Sequence, residues 1–308
     1  MNVEDAIEDI VRFSLVDCLK DKPSLILAGI TFVVYSIFGI ITMLAIANLF
    51  TPLANISPST APLAIVNVIV GVYITLAVYM IPMFLVMSIF GYLIIGRALK
   101  VSKNKHNSLT ISRYIKFLIL SIAAGIIAGL SLYNIKWLWM LVIGLALTLS
   151  GAIITTTGNL WGISLAGIGA AVLCIYVVVF IYNSIRLSIS EAIFVEGEGI
   201  INSLKKSWVI TKGNVLGIAV IIIILMIVLS LLSFVLSMPA IIYTYSFTAS
   251  TITTGNTLTG MGYLSDLGYL IAIWPTYIVS AYAILAGSWS VVGIYNVLTK
   301  KTKKTKKK

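Results

Sequence analysis

Long apolar runs alternate with short polar stretches along this chain. Six runs stand out: Ser24–Phe50, Leu63–Ile95, Ser112–Tyr133, Leu165–Ile185, Val215–Ser237 and Leu267–Leu298. Each is continuous, and an α-helix needs about 20 apolar residues to cross a bilayer. A β-barrel would instead alternate apolar and polar residues in strands of about ten. The pattern predicts an all-α, polytopic membrane protein with six transmembrane helices paired as three hairpins. The second and sixth runs exceed one perpendicular crossing, so they must tilt, bend or protrude. Pro82 and Pro275 fall within them and mark predicted kinks, since proline removes a backbone donor.

A seventh apolar run, Trp137–Ile154, is not settled by periodicity, and charge decides its reading. Arg97, Lys100, Lys103, Lys105, Arg113 and Lys116 cluster after the second run. Arg186, Lys205, Lys206 and Lys212 cluster after the fourth, and the 300–308 tail KKTKKTKKK carries seven lysines. Short basic connections stay in the cytoplasm. An even number of crossings must therefore separate Lys116 from Arg186. Residues 137–154 are accordingly expected to re-enter or to lie on the outer surface. This topology places 20 of the 21 basic residues inside, leaving Lys136 outside, and puts both termini in the cytoplasm of a cell-membrane protein. The outer connections are uncharged or nearly so, and one holds the glycosylation sequon Asn55-Ile56-Ser57.

Composition agrees. The chain has 308 residues, 60% hydrophobic and only 10% charged, with a mean hydropathy of +1.09. A soluble domain carries about 25% charged residues. The first twenty residues lack the basic start and apolar core of a signal peptide, so the N-terminus is expected to remain. The sequence is read as a single integral membrane domain, 1–299, with a polybasic tail, 300–308.

Two stretches predict amphipathic helices lying in the inner interface. In 2–20, Val3, Ile7, Ile10, Ser14 and Cys18 share one face, with Glu4, Asp5, Glu8 and Arg12 opposite. In about 199–211, Ile201, Leu204 and Trp208 share a face, with Lys205 flanking it. A weaker third example is HNSLTISRYIK at 106–116. The endings IIGRALK (94–100), IYNSIR (181–186) and IYNVLTK (294–300) are alike and suggest a pseudo-threefold repeat of the hairpins.

Residues 185–214, IRLSISEAIFVEGEGIINSLKKSWVITKGN, carry a further pattern. Arg186 leaves a span, Ala192 and Val195-Glu196 follow, and a helix ends in Ser207-Trp208 before a Lys212-Gly213 turn. This layout resembles the six-helix membrane domain found fused to some glycerophosphodiester phosphodiesterases, and its stand-alone relatives. The resemblance implies a six-helix fold and an interfacial helix formed by Arg186, Glu196, Ser207, Trp208, Lys212 and Gly213. The chain lacks the soluble phosphodiesterase domain, so that activity is not implied.

Little suggests catalysis. The single histidine, His106, sits in a basic loop. Cys18 and Cys174 have no metal or redox spacing and read as packing residues. Glu191, Glu196 and Glu198 are either paired surface carboxylates or, for Glu196 and Glu198, acids favoured at a helix start. GEG at 197–199 lacks the lysine partner of a phosphate loop and reads as a turn. Gly125 and Gly129 form a GxxxG that predicts a close helix contact. No cofactor, metal or nucleic-acid partner is expected. Partners are expected to be membrane lipids, with anionic headgroups met by Lys205, Lys206, Lys300 and Lys301. The expected function is a non-enzymatic membrane scaffold or lipid-associated accessory protein. The alternative is a transporter or channel for a small uncharged or amphipathic solute.

Overall fold

A computed structural model describes residues 3–50, 61–103, 110–129, 135–156, 161–253 and 266–305, and among these there is no strand. Helix α1 (Val3–Leu15) and a 3-10 turn (Asp17–Lys20) lead into α2 (Lys22–Phe50) and α3 (Ala61–Lys103). Next come α4 (Ile111–Gly129), α5 (Ile135–Thr156) and α6 (Trp161–Leu187). The short α7 (Ser190–Glu196) and α8 (Ile200–Ile210) precede the long α9 (Val215–Thr253) and α10 (Leu267–Thr305).

Six of the described helices, α2, α3, α4, α6, α9 and α10, are long and apolar enough to cross a membrane. They coincide with the six predicted runs and define an all-α multi-pass membrane protein. Large apolar side chains such as Ile26, Ile81, Val178 and Leu231 are exposed along them. Lipid tails accept such surfaces, since they are as apolar as leucine. The 43 residues of α3 correspond to about 64 Å at 1.5 Å per residue, so this helix exceeds the hydrocarbon layer. Pro82 and Pro275 both lie inside continuous helices, as does Pro239 in α9.

Contacts divide the chain into two compact units, each assembled from separated segments. One comprises Glu8–Ala98 and Ile222–Ser290. Here Asp21 starts α2 as its N-cap, accepting from the Ser24 amide at 3.1 Å and the Ser24 hydroxyl at 2.7 Å. The Arg97 guanidinium grips the same carboxylate, with Nη2 2.8 Å from Oδ1. That contact, joined by the Ser24 hydrogen bonds, holds the Asp21 carboxyl below its ordinary pKa. At the other end of the unit, Asp266 accepts from the Gly268 amide at 2.7 Å and from the Tyr243 hydroxyl at 2.6 Å.

Along the α1 face predicted from spacing, Ile10, Ser14 and Cys18 are buried and Ile7 is half-buried. This face turns toward protein. Phe13 packs on Trp289 with ring centroids 4.7 Å apart, and the Tyr282 hydroxyl donates to the Leu15 carbonyl at 2.6 Å. Burial, reinforced by the nearby Asp17 charge, pushes the Cys18 thiol up to about 12. Cys174 is exposed on α6, so only Cys18 is a packing residue.

The second unit comprises Met1–Ile7, Leu99–Ile221 and Val291–Lys308. Its α5 is a full helix of 22 residues. It runs antiparallel to α6 through small residues, Gly144 meeting Gly169 and Leu173, and Gly151 meeting Gly162 and Ala166. A Cβ on Gly151, Gly162 or Gly169 would fall against backbone atoms of the facing helix. Helix α4 is also antiparallel to α6, since Ser121 reaches Glu191 while Gly129 accepts from Tyr176. Helices α4 and α5 thus run in the same direction along α6. Extending the α5 register back to Ile135 returns it to the part of α6 where α4 stops. Residues 137–154 thus lie within one continuous helix that packs antiparallel against α6.

Candidate functional site

The residues singled out by sequence gather in the second unit, around the end of α6. Arg186 is in the last turn of α6 and its side chain is buried. Its Nε donates to Thr211 Oγ1 at 3.2 Å, its Nη1 to the Tyr182 hydroxyl at 2.7 Å and its Nη2 to the Trp208 carbonyl. Its guanidinium lies 4.1 Å from the centroid of the Trp208 ring, a cation–π distance. The Trp208 carbonyl belongs to the last turn of α8, where a cation also meets the negative end of the helix dipole. The exchange is mutual. The Arg186 carbonyl, at the end of α6, accepts from Ser207 at 2.8 Å and lies 3.2 Å from Thr211 Oγ1. Each helix end therefore supplies the partners that the other lacks.

The inward side of α8 is a second face, beside the one predicted from spacing. The row turned into the protein is Ser203, Ser207 and Thr211, all fully buried, with Leu204 beside it. On the face predicted from spacing, Ile201 is exposed, Trp208 half-buried and Leu204 buried. Ser207 and Thr211 reach the Arg186 carbonyl of α6 from these inner positions, while Ser203 donates to the Gly199 carbonyl at 2.9 Å. Glycines set the turns at either end: Gly197 closes α7 at φ 136°, and Gly213 leads from α8 to α9 at φ 81°. A side chain would be strained in either conformation. The predicted Lys212-Gly213 turn is therefore in place, with Lys212 exposed.

Glu196 ends α7 rather than starting a helix, so the macrodipole is not what holds it. Lys103, in the last turn of α3, places Nζ 3.3 Å from Glu196 Oε1, and the Tyr295 hydroxyl of α10 donates to Oε2. Lys103 also lies 3.9 Å from the centroid of the Tyr295 ring. This three-way clasp joins the ends of α3 and α7 to α10. Sequence reasoning missed Tyr295 and the partner role of Lys103. The available signal was the repeated Ile-Tyr-Asn, whose first copy supplies Tyr182 to Arg186. Glu198 does precede a helix, and it pairs with Lys206 at 2.8 Å. That pair is exposed and contributes about 0–1 kcal/mol.

Glu191 differs from its two neighbours. It lies in the first turn of α7, and the Ser121 hydroxyl of α4 donates to its Oε1 at 2.8 Å. It borders a cavity of about 300 Å³ between α4, α6 and α7, with Gly125, Ala128, Phe180 and Ser184 among the lining residues. A Cβ on Gly125 would meet nothing within 4 Å, and one on Gly129 would only touch the Phe180 ring. Within the chain, Gly125 therefore opens space, while the Gly129 carbonyl accepts from Tyr176 of α6. The close contact is the one between α5 and α6.

Lys205 and Lys300 are exposed. The Lys301 side chain, residues 306–308, His106 and the sequon at Asn55 lie outside the described residues. Among the described residues, no three His, Cys, Asp or Glu side chains gather as a metal site. Comparison with protein-family models, curated proteins and solved structures finds no match for the chain. The resemblance to the phosphodiesterase-associated membrane domain thus rests on residues 185–214 and the helix layout.

Proposed function

We propose that this protein is a non-enzymatic membrane scaffold or lipid-associated accessory protein of the cell membrane, with both termini cytoplasmic. The observation that carries this reading is the outer face of α8 and the turn after it. Ile201, Val209 and Leu216 are 66%, 69% and 80% exposed, with Lys205 and Lys212 exposed among them. Arg186 pins this surface to the end of α6, where it suits the boundary between acyl chains and headgroups. Lysines at that depth snorkel toward anionic headgroups, each gaining about 1 kcal/mol. The tail from Lys300 and Lys301 onward adds seven charges of the same sign.

Lipids retained by the purified chain, counted by native mass spectrometry, test the reading. Reversing Lys205 and Lys212 to glutamate should remove most of the anionic lipid while leaving zwitterionic lipid in place. Unchanged retention of anionic lipid would overturn it. A second reading, transport of a small amphipathic solute, draws on the cavity beside Glu191.

A further inference from the structure

We infer that the cavity beside Glu191 binds a small ammonium group, carried either by a free amine or by the headgroup of an amine-bearing lipid. This goes beyond the scaffold reading, which needs only the outer face of α8. The volume of about 300 Å³ falls at the lower end of small-molecule sites, about 300–1,000 Å³. The α4 side is built of small residues, Gly125 and Ala128. The missing side chain at Gly125 keeps that side open.

The other side offers the Glu191 carboxylate, the Ser184 hydroxyl and the Phe180 ring. Ser121 occupies one Glu191 oxygen, and no cation pairs with this acid among the described residues. The nearby basic groups have other partners: Arg186 is spent on Tyr182, Trp208 and Thr211, Lys103 on Glu196 and Lys206 on Glu198. A carboxylate in apolar surroundings is costly unless it is paired. An entering ammonium supplies the missing charge and donors, and the aromatic face adds a cation–π contact. An anionic ligand would meet like charge instead.

The full-length chain in phosphatidylcholine nanodiscs is titrated with ethanolamine hydrochloride by calorimetry. In a parallel arm, nanodiscs contain phosphatidylethanolamine, and retained lipid is counted by native mass spectrometry. Glu191→Gln keeps the size and the Ser121 hydrogen bond but removes the charge. Gly125→Val keeps the charge but fills the cavity. Saturable binding is expected in at least one arm, weakened tenfold or more by each variant. A response in the first arm alone identifies a free amine, and in the second alone a lipid headgroup. No saturable binding in either arm, or binding that either variant leaves unchanged, overturns the assignment. Should Glu191→Gln fail to fold, Gly125→Val carries the test. The lysine reversals on α8 report on the scaffold reading separately.

Discussion

At the scale of single residues, two charged side chains are fastened in different ways. Arg186 was visible in the sequence as a basic residue leaving an apolar run. Its partners were not, because Ser207 and Thr211 look like surface hydroxyls until α8 folds back. Hydrogen bonds to a charged group are worth about 1.5–3 kcal/mol each. Arg186→Ala should therefore destabilise the chain by about 2–4 kcal/mol, read by thermal unfolding in detergent. Arg186→Lys should recover only part of this loss, since lysine keeps the charge but lacks the planar fork. Asp21 contributes through pH. Its carboxyl is held low by Arg97, so its stabilisation is complete above the unfolded value of about 3.9. It is lost as pH falls through the still lower folded value. The stability gap between wild type and Asp21→Asn should be constant above about pH 5 and shrink below about pH 4. A gap that grows on acidification would contradict the Arg97 grip.

At the scale of elements, all six long helices were legible, because continuous apolar runs leave few alternatives in a bilayer. The helix contacts were less so. A four-residue glycine spacing drew attention to Gly125 and Gly129, yet the tight contact uses Gly144 with Gly151 and Gly162 with Gly169. Those pairs are seven apart, which returns to one face after two turns. Gly151→Leu should cost about 1–3 kcal/mol or more from overpacking against α6. Gly125→Ala, directed into open space, should be neutral or slightly stabilising, since alanine is the better helix former. Equal losses in a detergent unfolding series would remove the distinction between the two glycine pairs. The clasp of Lys103, Glu196 and Tyr295 was hidden for another reason. Its members lie on three elements far apart in sequence, and each looks ordinary alone.

At the scale of the whole molecule, the charge pattern and the α4–α5–α6 geometry together make a topology that labelling can test. If α4 and α5 supply a single crossing in two pieces, two crossings separate Lys116 from Arg186, as the basic clusters require. Lys136 then falls in the first turn of α5, toward the end of α6 that carries Arg186. In that arrangement Lys136 would share the side of the other basic residues, whereas an outer α5 would leave it outside. Single cysteines in a background lacking Cys18 and Cys174 test this with a charged maleimide. A cysteine at Arg113 should label from the cytoplasmic side and one at Thr155 from the outer side. Separate crossings by α4 and α5 would place both on the same side. A cysteine at Val142, exposed in the middle of α5, should resist the charged reagent from either side yet react with a lipid-soluble one. Labelling of Val142→Cys from outside would return α5 to the outer surface, and with it Lys136.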